Sequence, residues 1–382
     1  MNLKYELREF ELERWQSLRE KKAKILLSES GIEALSVLEI EEIIGGPLLN
    51  SEFTMDYGWT QGSLKLREAI AKIYNAKINE ENILVTHGSV EANLLVTLSQ
   101  IKSGDNVILE KPNYMQIHGL TEWINAKQYI VWRKPDNNFK LNLNELISLI
   151  RKIKPKIIFL TNPNNPTGQY LTCKELEELY QEASKVNSKI AVDEVYIDAK
   201  HDDLLKSIID VGFESGGVIA VSGLSKAYGL PGLRIGWIIA SKEDINKMWS
   251  LKDYTTIAPS KISDEIARKC LQPKARAKIL DRTRRILKEN LEFIKIAFNK
   301  VNKVKVYMPS AGAIFLIEFI DRKEDREICE KLFEDYGILI CPGYTFELNG
   351  FARIGMGQKP EIFKNNLNIL IEVLKEILEK HD

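Results

Sequence analysis

Residues 156–196 read KIIFLTNPNNPTGQYLTCKELEELYQEASKVNSKIAVDEVY. KIIFL and KIAV are short apolar runs typical of buried strands, whereas CKELEELYQEASKV between them has the apolar spacing of a helix. A strand, a helix and a second strand in this order predict a βαβ unit, whose two strands run parallel. The stretch therefore predicts an α/β fold.

The same alternation continues on both sides of this unit, from about residue 64 to about residue 241. Further strands are predicted at NILVTHGS, NVILEKPNY, KQYIVWRK, VIAVSGLSK and LRIGWIIAS, and helices at SLKLREAIAKIYNA, EANLLVTLSQI and LNELISLIRKI. Runs such as IIFL and VIAV are wholly apolar, as expected where helices cover both faces of a sheet. We therefore expect a mainly parallel central sheet between two layers of helices.

The pattern changes after residue 260, where a long helical stretch begins. The segments VKVYMPSAGAIFLIEFI, ILICPGYTF and FARIGMG follow, and a last helix begins at about residue 360. This pattern predicts a smaller α+β domain, against which we expect the charged N-terminal segment to pack. We predict a large domain at residues 45–275 and a small domain formed by residues 1–44 and 276–382.

The composition argues against several classes of function. Basic and acidic residues balance at 54 each, so we expect no binding to nucleic acid or to a membrane. The N-terminus lacks the apolar core of a signal peptide, and no apolar run reaches membrane-spanning length. The scattered histidines give little support to a metal site. The cysteines are also scattered, which predicts a cytoplasmic protein without zinc or disulfides: Cys173, Cys270, Cys329 and Cys341.

Polar motifs follow the predicted strands of the large domain. THGS, KPNY, TNPNNPTG, DEVY and GLSK each lie at or just past a strand end. In open α/β sheets, ligands bind beyond the carboxyl ends of the strands. The motifs therefore predict one common binding site at that edge of the sheet.

The motif SGLSKAYGLPGLRIGW at residues 222–237 contains a candidate nucleophile. Lys226 lies in a loop rich in glycine, serine and proline, and a lysine reacts when burial or neighbouring positive charge lowers its pKa. Ser225 and Arg234 offer a hydroxyl and a guanidinium, which suit a phosphate group. The alternative is an ordinary solvated lysine in a loop.

Two side chains of DEVY are candidates for a cofactor site. Asp193 directly follows the apolar IAV, and a carboxylate near the sheet needs a cationic partner. A protonated heterocycle nitrogen would serve, and so would a structural ion pair with a nearby lysine or arginine. Tyr196 could donate a hydrogen bond to a phenolate, or it could simply pack.

Four further features carry weaker signals. GSVEANLL supplies free amides at a helix start, which bind phosphate readily but are equally compatible with ordinary capping. Asn165 is held stiffly by two X-Pro pairs, although it could also be an ordinary solvated loop residue. Tyr114 is an aromatic at a strand end, although it could also simply pack in the core. Arg353 lies in an apolar, glycine-rich strand, where an arginine requires a carboxylate from a substrate or from the protein.

In combination and in this order, NPNNPTG, DEVY and SGLSKAYGLPGLRIGW resemble the class I/II aminotransferases of the pyridoxal phosphate (PLP)-dependent fold type I superfamily. The resemblance covers roughly residues 25–380. It implies PLP as cofactor and the transfer of an amino group between an L-amino acid and a 2-oxo acid.

The resemblance also implies roles for individual residues. Lys226 would form the Schiff base with PLP and then move the substrate α-proton, and Asp193 would keep the pyridine nitrogen protonated. The remaining cofactor ligands would be Tyr196 and Asn165 at the ring oxygen, Tyr114 stacked on the ring, and Ser225, Arg234 and the amides of Ser89 and Val90 at the phosphate.

Three further residues would bind the substrate or link two subunits. Arg353 would bind the substrate α-carboxylate together with Asn165, and the backbone of Gly31 would lie near the substrate. Tyr57 matches a tyrosine that reaches the neighbouring subunit's phosphate, which implies a homodimer with shared active sites. Trp59, Tyr5 and residues 252–260 are candidates for the rest of the substrate pocket.

Some segments depart from the family pattern. SGIEALSVLEI replaces the usual glycine–x–proline–aspartate stretch, and Gly223 stands where many members have a serine. The chain is also similar to capreomycidine synthase, which favours lyase, cyclase or β/γ-replacement chemistry as the alternative. A PLP-binding sensor module of a transcription regulator would carry a DNA-binding domain ahead of this fold. A nicotinamide-binding enzyme would carry GxGxxG after an early strand, which THGSVEAN does not match.

Overall fold

The structure is a computed structural model that describes residues 6–201, 205–298 and 301–379. The strands are β1 Ile25–Leu26, β2 Ile83–His87, β3 Asn106–Lys111, β4 Lys127–Trp132, β5 Ile157–Thr161, β6 Lys189–Asp193, β7 Val218–Gly223, β8 Ile235–Ile239, β9 Val304–Tyr307, β10 Ile314–Phe319, β11 Ile338–Leu339, β12 Cys341–Pro342 and β13 Phe351–Gly355. The helices are α1 Glu11–Arg19, α2 Val37–Ile44, α3 Leu64–Ala71, α4 Gly88–Gln100, α5 Gln116–Trp123, α6 Leu143–Ile153, α7 Cys173–Ser184, α8 Ile208–Gly212, α9 Lys242–Lys252, α10 Lys261–Cys270, α11 Pro273–Ala297, α12 Asp325–Tyr336 and α13 Pro360–Glu379.

The predicted βαβ unit forms as β5, α7 and β6. The two strands pair in parallel over their whole length, with Ile157 opposite Lys189 and Thr161 opposite Asp193. Helix α7 begins with a capping box, in which Thr172 and Glu175 each bond to the other's backbone amide.

A seven-stranded sheet is the centre of the molecule, with the strand order β2-β8-β7-β6-β5-β3-β4. The prediction of a mainly parallel sheet is confirmed, with one exception: β8 runs antiparallel to both of its neighbours, β2 and β7. The carboxyl ends of β5, β6 and β7 therefore meet at one edge of the sheet. The motifs that follow these strands are brought together there.

Both faces of the central sheet are covered. Along β5, Ile158 and Leu160 belong to one hydrophobic cluster, whereas Ile157 and Phe159 belong to another. Because alternate residues of a strand point to opposite faces, each face packs against its own layer of helices. Each fully buried side chain of this size stabilises the fold by about 1.5–3 kcal/mol.

A second, four-stranded antiparallel sheet has the order β12-β13-β10-β9. The N-terminal segment reaches this region through β1, which pairs in parallel with β11. The indole nitrogen of Trp15 in α1 also donates to the carbonyl of Ile340 at 2.9 Å. The domain boundaries at residues 44/45 and 275/276 stay a prediction.

The helical stretch after residue 260 differs from the sequence expectation of one long helix. It is divided into α10 and α11, and Pro273 is the first residue of α11. Proline suits the first position of a helix because the amide it lacks would have no partner there, and it cannot continue a preceding helix because that amide would be needed. A search of the described residues finds no helix long and apolar enough to cross a membrane.

Candidate active site

The loop after β7 directs the Lys226 amine to a specific partner. The loop is closed by backbone bonds from Leu224 to Ile235 at 3.0 Å and from Leu230 to Leu224 at 3.1 Å. Lys226 Nζ donates to Ser30 Oγ at 2.8 Å. The amine is thus held by a neutral hydroxyl, which disfavours the alternative of a freely solvated lysine and leaves the amine available for chemistry.

Asp193 is the last residue of β6, and its carboxylate is buried. Asn93 Nδ2 donates to Oδ2 at 2.7 Å, and the amide of Val195 donates to Oδ1 at 3.1 Å. Burial raises the pKa of this carboxyl, and these two hydrogen bonds and the charge of Lys226 oppose that rise. In the described parts of the chain no lysine or arginine forms an ion pair with Asp193, so a cationic ligand atom would suit it.

Tyr196 and Lys226 converge on the same residue. The buried Tyr196 hydroxyl donates to the carbonyl oxygen of Ser30 at 2.8 Å, while Lys226 bonds to the hydroxyl of Ser30. Tyr196 follows β6 and Lys226 follows β7, and these strands are neighbours in the sheet. The segment that contains Ser30 therefore lies at this edge of the sheet, where it contacts both side chains.

An anion pocket forms where Arg234 meets the N-terminus of α4. Arg234 Nη1 donates to Ser225 Oγ at 3.3 Å. A Cβ atom on Gly88, the first residue of α4, would lie only 2.6 Å from Arg234 Nη2, and Gly88 has a φ of 77°. Only glycine fits here, because a side chain would displace the guanidinium and would strain the backbone.

The start of α4 is also packed closely against β8. A Cβ on Gly236 would lie 2.6 Å from the amide nitrogen of Ser89. The first amides of a helix have no partner within the helix, and those of Ser89 and Val90 belong to this group. Together with Arg234 and Ser225 they form a site suited to a phosphate.

Arg353 lies in β13 between β12 and β10, and only 1% of its surface is exposed. Nη1 donates to Asn165 Oδ1 at 3.0 Å, and Nη2 donates to the carbonyl of Ser28 at 2.7 Å and to Cys341 Sγ at 3.1 Å. Nε is buried and has no partner. None of the described carboxylates forms an ion pair with this guanidinium, so a ligand carboxylate would suit it.

Tyr114 lies between β3 and α5, where it meets the N-terminal segment. Its hydroxyl donates to Glu13 Oε1 at 2.5 Å, and its ring contacts Phe10 edge to face with the centroids 4.9 Å apart. Burial, together with the Glu13 carboxylate, raises the pKa of Tyr114 well above its ordinary value. The tyrosine therefore stays neutral and is fixed in position.

Gly31 packs directly against the lysine loop. A Cβ on this residue would lie 3.0 Å from the carbonyl oxygen of Ser225 and 3.6 Å from Lys226 Cδ. The absence of a side chain at position 31 lets the backbone of this residue approach the lysine loop closely.

Of the remaining candidates, Thr255 and Thr256 line a cavity together with Val90 and Arg234, and the others lie elsewhere. Tyr57 is 88% exposed and takes no part in the site formed by one subunit. Trp59 and Tyr254 are also exposed. Tyr5 lies outside the described residues.

Three residues of the site were not found by sequence reasoning. Ser30 immediately precedes Gly31, and this adjacency to a predicted site residue is the one sequence feature that could have indicated it. Asn93 lies one helical turn after Ser89, and this spacing places both on the same face of α4. Glu13 lies in a charged helical segment and carried no signal that distinguished it from a surface residue.

The chain matches the family model "Aminotransferase class I and II" over residues 36–370, and it belongs to this family. The protein is thus a PLP-dependent transferase, with pyridoxal phosphate as its cofactor. Among curated proteins it is similar to an aspartate aminotransferase of Sulfolobus acidocaldarius, with 25% identity over 340 residues that cover 85% of this chain and 83% of the relative. It is equally similar to capreomycidine synthase of Streptomyces vinaceus, with 25% identity over 359 residues that cover 92% and 90%.

Solved structures agree with this assignment and place the fold in type I of the PLP enzymes. A PLP-dependent aminotransferase of Streptococcus suis superposes with a TM-score of 0.90 at 31% identity, covering 97% of this chain and 99% of that one. The PLP-dependent cyclase OrfR superposes with a TM-score of 0.87 at 25% identity, covering 98% and 100%.

The residues at the sheet edge fit pyridoxal phosphate. Asp193 is a buried carboxylate that forms no ion pair within the described residues, so it would suit a protonated ring nitrogen. The glycine at position 88 leaves a cradle for an anion against Arg234. Lys226 supplies an amine at the same edge of the sheet. Within the described residues, no three histidine, cysteine or acidic side chains are grouped so that they could hold a metal ion.

Proposed function

We propose that the protein is a PLP-dependent aminotransferase that moves the amino group of an L-amino acid to a 2-oxo acid. The observation that carries the proposal is the Lys226 amine, bonded to Ser30 at the sheet edge where Asp193 and the anion pocket of Arg234 also lie. A reactive amine, a buried carboxylate and an anion pocket match the three polar parts of one cofactor.

We assign the cofactor ligands as follows. Asp193 holds the ring nitrogen, and its raised pKa falls when a cation pairs with it. The other ligands are Tyr196 and Asn165 at the ring oxygen, Tyr114 on the ring face, and Ser225, Arg234 and the amides of Ser89 and Val90 at the phosphate.

Bound PLP supplies an electron sink that stabilises negative charge at the substrate α-carbon. Lys226 moves the proton at that carbon, and its tether to β7 keeps it within reach. Ser30 orients the lysine amine through its hydroxyl. The Tyr196 hydroxyl donates to the carbonyl of Ser30, and its one proton would turn from there to the ring oxygen when the cofactor binds.

Arg353 binds the substrate α-carboxylate. Nε is unpaired and Nη1 meets only the neutral oxygen of Asn165, so a carboxylate would gain a charge-assisted bond without displacing an ion pair. The backbone of Gly31 lies beside Lys226 and forms the opposite wall.

We further propose a homodimer with shared active sites. Tyr57, Trp59 and Tyr254 are large exposed aromatics, so all three are available to a subunit interface. A cavity of about 680 Å³ opens beside Val90 and Arg234, which leaves room for the partner's Tyr57 to approach the phosphate. The four free cysteines fit the reducing cytoplasm, which we propose as its location.

Light scattering tests the dimer, and Tyr57→Phe tests the shared site. The variant should remain dimeric but retain the cofactor less well, because only the hydroxyl is removed. A monomer with full activity would contradict the proposal.

A cyclase, lyase or replacement activity is the second candidate. It is favoured by the similarity to capreomycidine synthase and to the cyclase OrfR, whose structure covers 98% of this chain. The deciding experiment incubates the loaded enzyme with a panel of L-amino acids and 2-oxo acids. Paired formation of a new amino acid and a new 2-oxo acid supports transamination, whereas ammonia or a cyclised product supports the second candidate.

A further inference from the structure

A cluster of polar side chains close to the candidate site connects three segments that are distant in the sequence. Tyr228 donates to Asp198 Oδ2 at 2.6 Å, and Arg276 Nε donates to the Tyr228 hydroxyl at 2.9 Å. Arg276 Nη2 completes the triangle with Asp198 Oδ1 at 2.6 Å. Each of the three side chains thus bonds to the other two.

The positions of these residues along the chain suggest their role. Tyr228 lies two residues after Lys226, and Asp198 lies two residues after Tyr196. Arg276 lies in the first turn of α11. We propose that Tyr228, Asp198 and Arg276 are positioning residues that fix the loops of Lys226 and Tyr196 relative to each other and to α11. This inference rests on the proposed function only for its catalytic consequence.

Burial and paired hydrogen bonds hold the three side chains of the cluster in one arrangement. Tyr228 is 1% exposed, and its hydroxyl both accepts from a guanidinium and donates to a carboxylate. Burial, with the Asp198 carboxylate, raises the pKa of Tyr228 well above its ordinary value, so the hydroxyl remains a donor over the working pH range. Hydrogen bonds to charged partners are about twice as strong as neutral ones.

A second contact from the same helix holds the residue next to the lysine. Thr283 Oγ1 donates to the carbonyl of Ala227 at 2.7 Å in a buried environment. Arg276 and Thr283 are seven residues apart, and this spacing places them on one face of α11. Both contacts therefore act from the same side of the lysine loop.

The N-terminal segment also holds the main chain at the lysine itself. The amide of Ile32 donates to the carbonyl of Lys226 at 3.1 Å. Proton transfer requires the reacting atoms to lie about 3 Å apart, and a misplacement of about 1 Å can lower a rate by about 100-fold. Loss of the cluster should therefore reduce turnover although none of its members contacts substrate.

The test uses Tyr228→Phe and Asp198→Asn, singly and together, with Asp244→Asn as the control. Asp244 is also a mostly buried carboxylate that pairs with a cation, Lys189, but it lies outside the site. We expect each cluster variant to lower kcat by about 10- to 100-fold with KM little changed. The double variant should lose no more than the worse single variant, because the bonds act as one unit.

Hydrogen–deuterium exchange on the cofactor-free protein gives a readout that is independent of activity. Exchange should become faster in the peptides of residues 194–199 and 224–230 in both cluster variants, and it should be unchanged there in the control. Arg276→Lys should restore only part of what Arg276→Ala loses, since an ammonium cannot reproduce the fork that bonds two partners.

The proposal is overturned if exchange in those two segments is unaltered. It is also overturned if the cluster variants lose stability as the control does while kcat stays at the wild-type value. If the exchange changes appear but the enzyme shows no transamination, the cluster stands as a tie between the loops and the proposed function fails.

Discussion

Ser30 bonds to Lys226 through its hydroxyl and to Tyr196 through its carbonyl oxygen, at 2.8 Å in both cases. One residue of an extended segment thus sets the separation of the two side chains that we place nearest the reacting atoms. A mutation of Ser30 can remove the hydrogen bond between its hydroxyl and Lys226 while the hydrogen bond between its carbonyl and Tyr196 is kept.

Ser30→Ala should lower kcat by roughly tenfold or less, because it removes one hydrogen bond worth about 1 kcal/mol. Ser28→Ala is the matched control, since Ser28 lies two residues earlier in the same segment and its buried hydroxyl has no partner. Steady-state kinetics on both variants checks the prediction. An equal loss in the two variants would show that Ser30 Oγ does not orient the lysine.

Lys226 should be the residue that carries the cofactor. Borohydride treatment of the loaded enzyme, followed by peptide mapping, should find the label on the peptide of Lys226 and none on Lys252, a buried lysine that donates to the carbonyl of Ile257. Lys226→Ala should abolish turnover while still allowing the cofactor to bind noncovalently. A label on another lysine would sink the assignment of the nucleophile.

Arg353→Lys should raise the KM for the amino acid by roughly 10- to 100-fold, because hydrogen bonds to charged groups are worth about 1.5–3 kcal/mol and an ammonium cannot form a bidentate pair. Arg133→Lys is the control, since this buried arginine pairs with Glu110 instead of facing a ligand. The control should lower the melting temperature and leave KM unchanged. A KM for the Arg353 variant equal to that of wild type would contradict a carboxylate site at Arg353.

The meeting of several candidate residues at one edge of the sheet could be predicted because they follow strands of a parallel sheet. Once the alternation of strands and helices is recognised, the carboxyl ends of β5, β6 and β7 must meet, and so must Asn165, Asp193 and Lys226. The antiparallel direction of β8 could not be predicted in the same way, since an apolar run has the same composition in either direction.

The parts that escaped prediction depend on contacts between segments far apart in the chain. Ser30 reaches the site because β1 pairs with β11, more than 300 residues later, and a two-residue strand leaves no periodic pattern. Glu13 meets Tyr114 only after α1 has docked against the smaller sheet. Such contacts follow from the packed structure and have no local signature.

The stability of the fold should depend on a second buried carboxyl beside Asp193. Glu194 is fully buried, accepts from Ser207 Oγ and from the amide of Ile208 at 2.7 Å each, and forms no ion pair within the described ranges. Burial raises the pKa of Glu194 to about 8, whereas its ordinary value is 4.5. A raised pKa means that the folded state binds the proton more tightly than the unfolded state does.

Its contribution to stability is therefore complete below about pH 4.5 and is lost as the pH rises through about 8, by on the order of a few kcal/mol. Glu194→Gln cannot ionise and can still bond to Ser207 and Ile208, so its melting temperature should fall less than that of wild type between pH 5 and pH 8. Asp244→Asn is the contrasting control, because the pKa of Asp244 is lowered and its pairing with Lys189 favours the charged form. Thermal unfolding at a series of pH values measures the difference. Parallel curves for wild type and Glu194→Gln would mean that Glu194 is already ionised in the folded protein at pH 5, and the hydrogen bonds from Ser207 and Ile208 would then outweigh the cost of its burial.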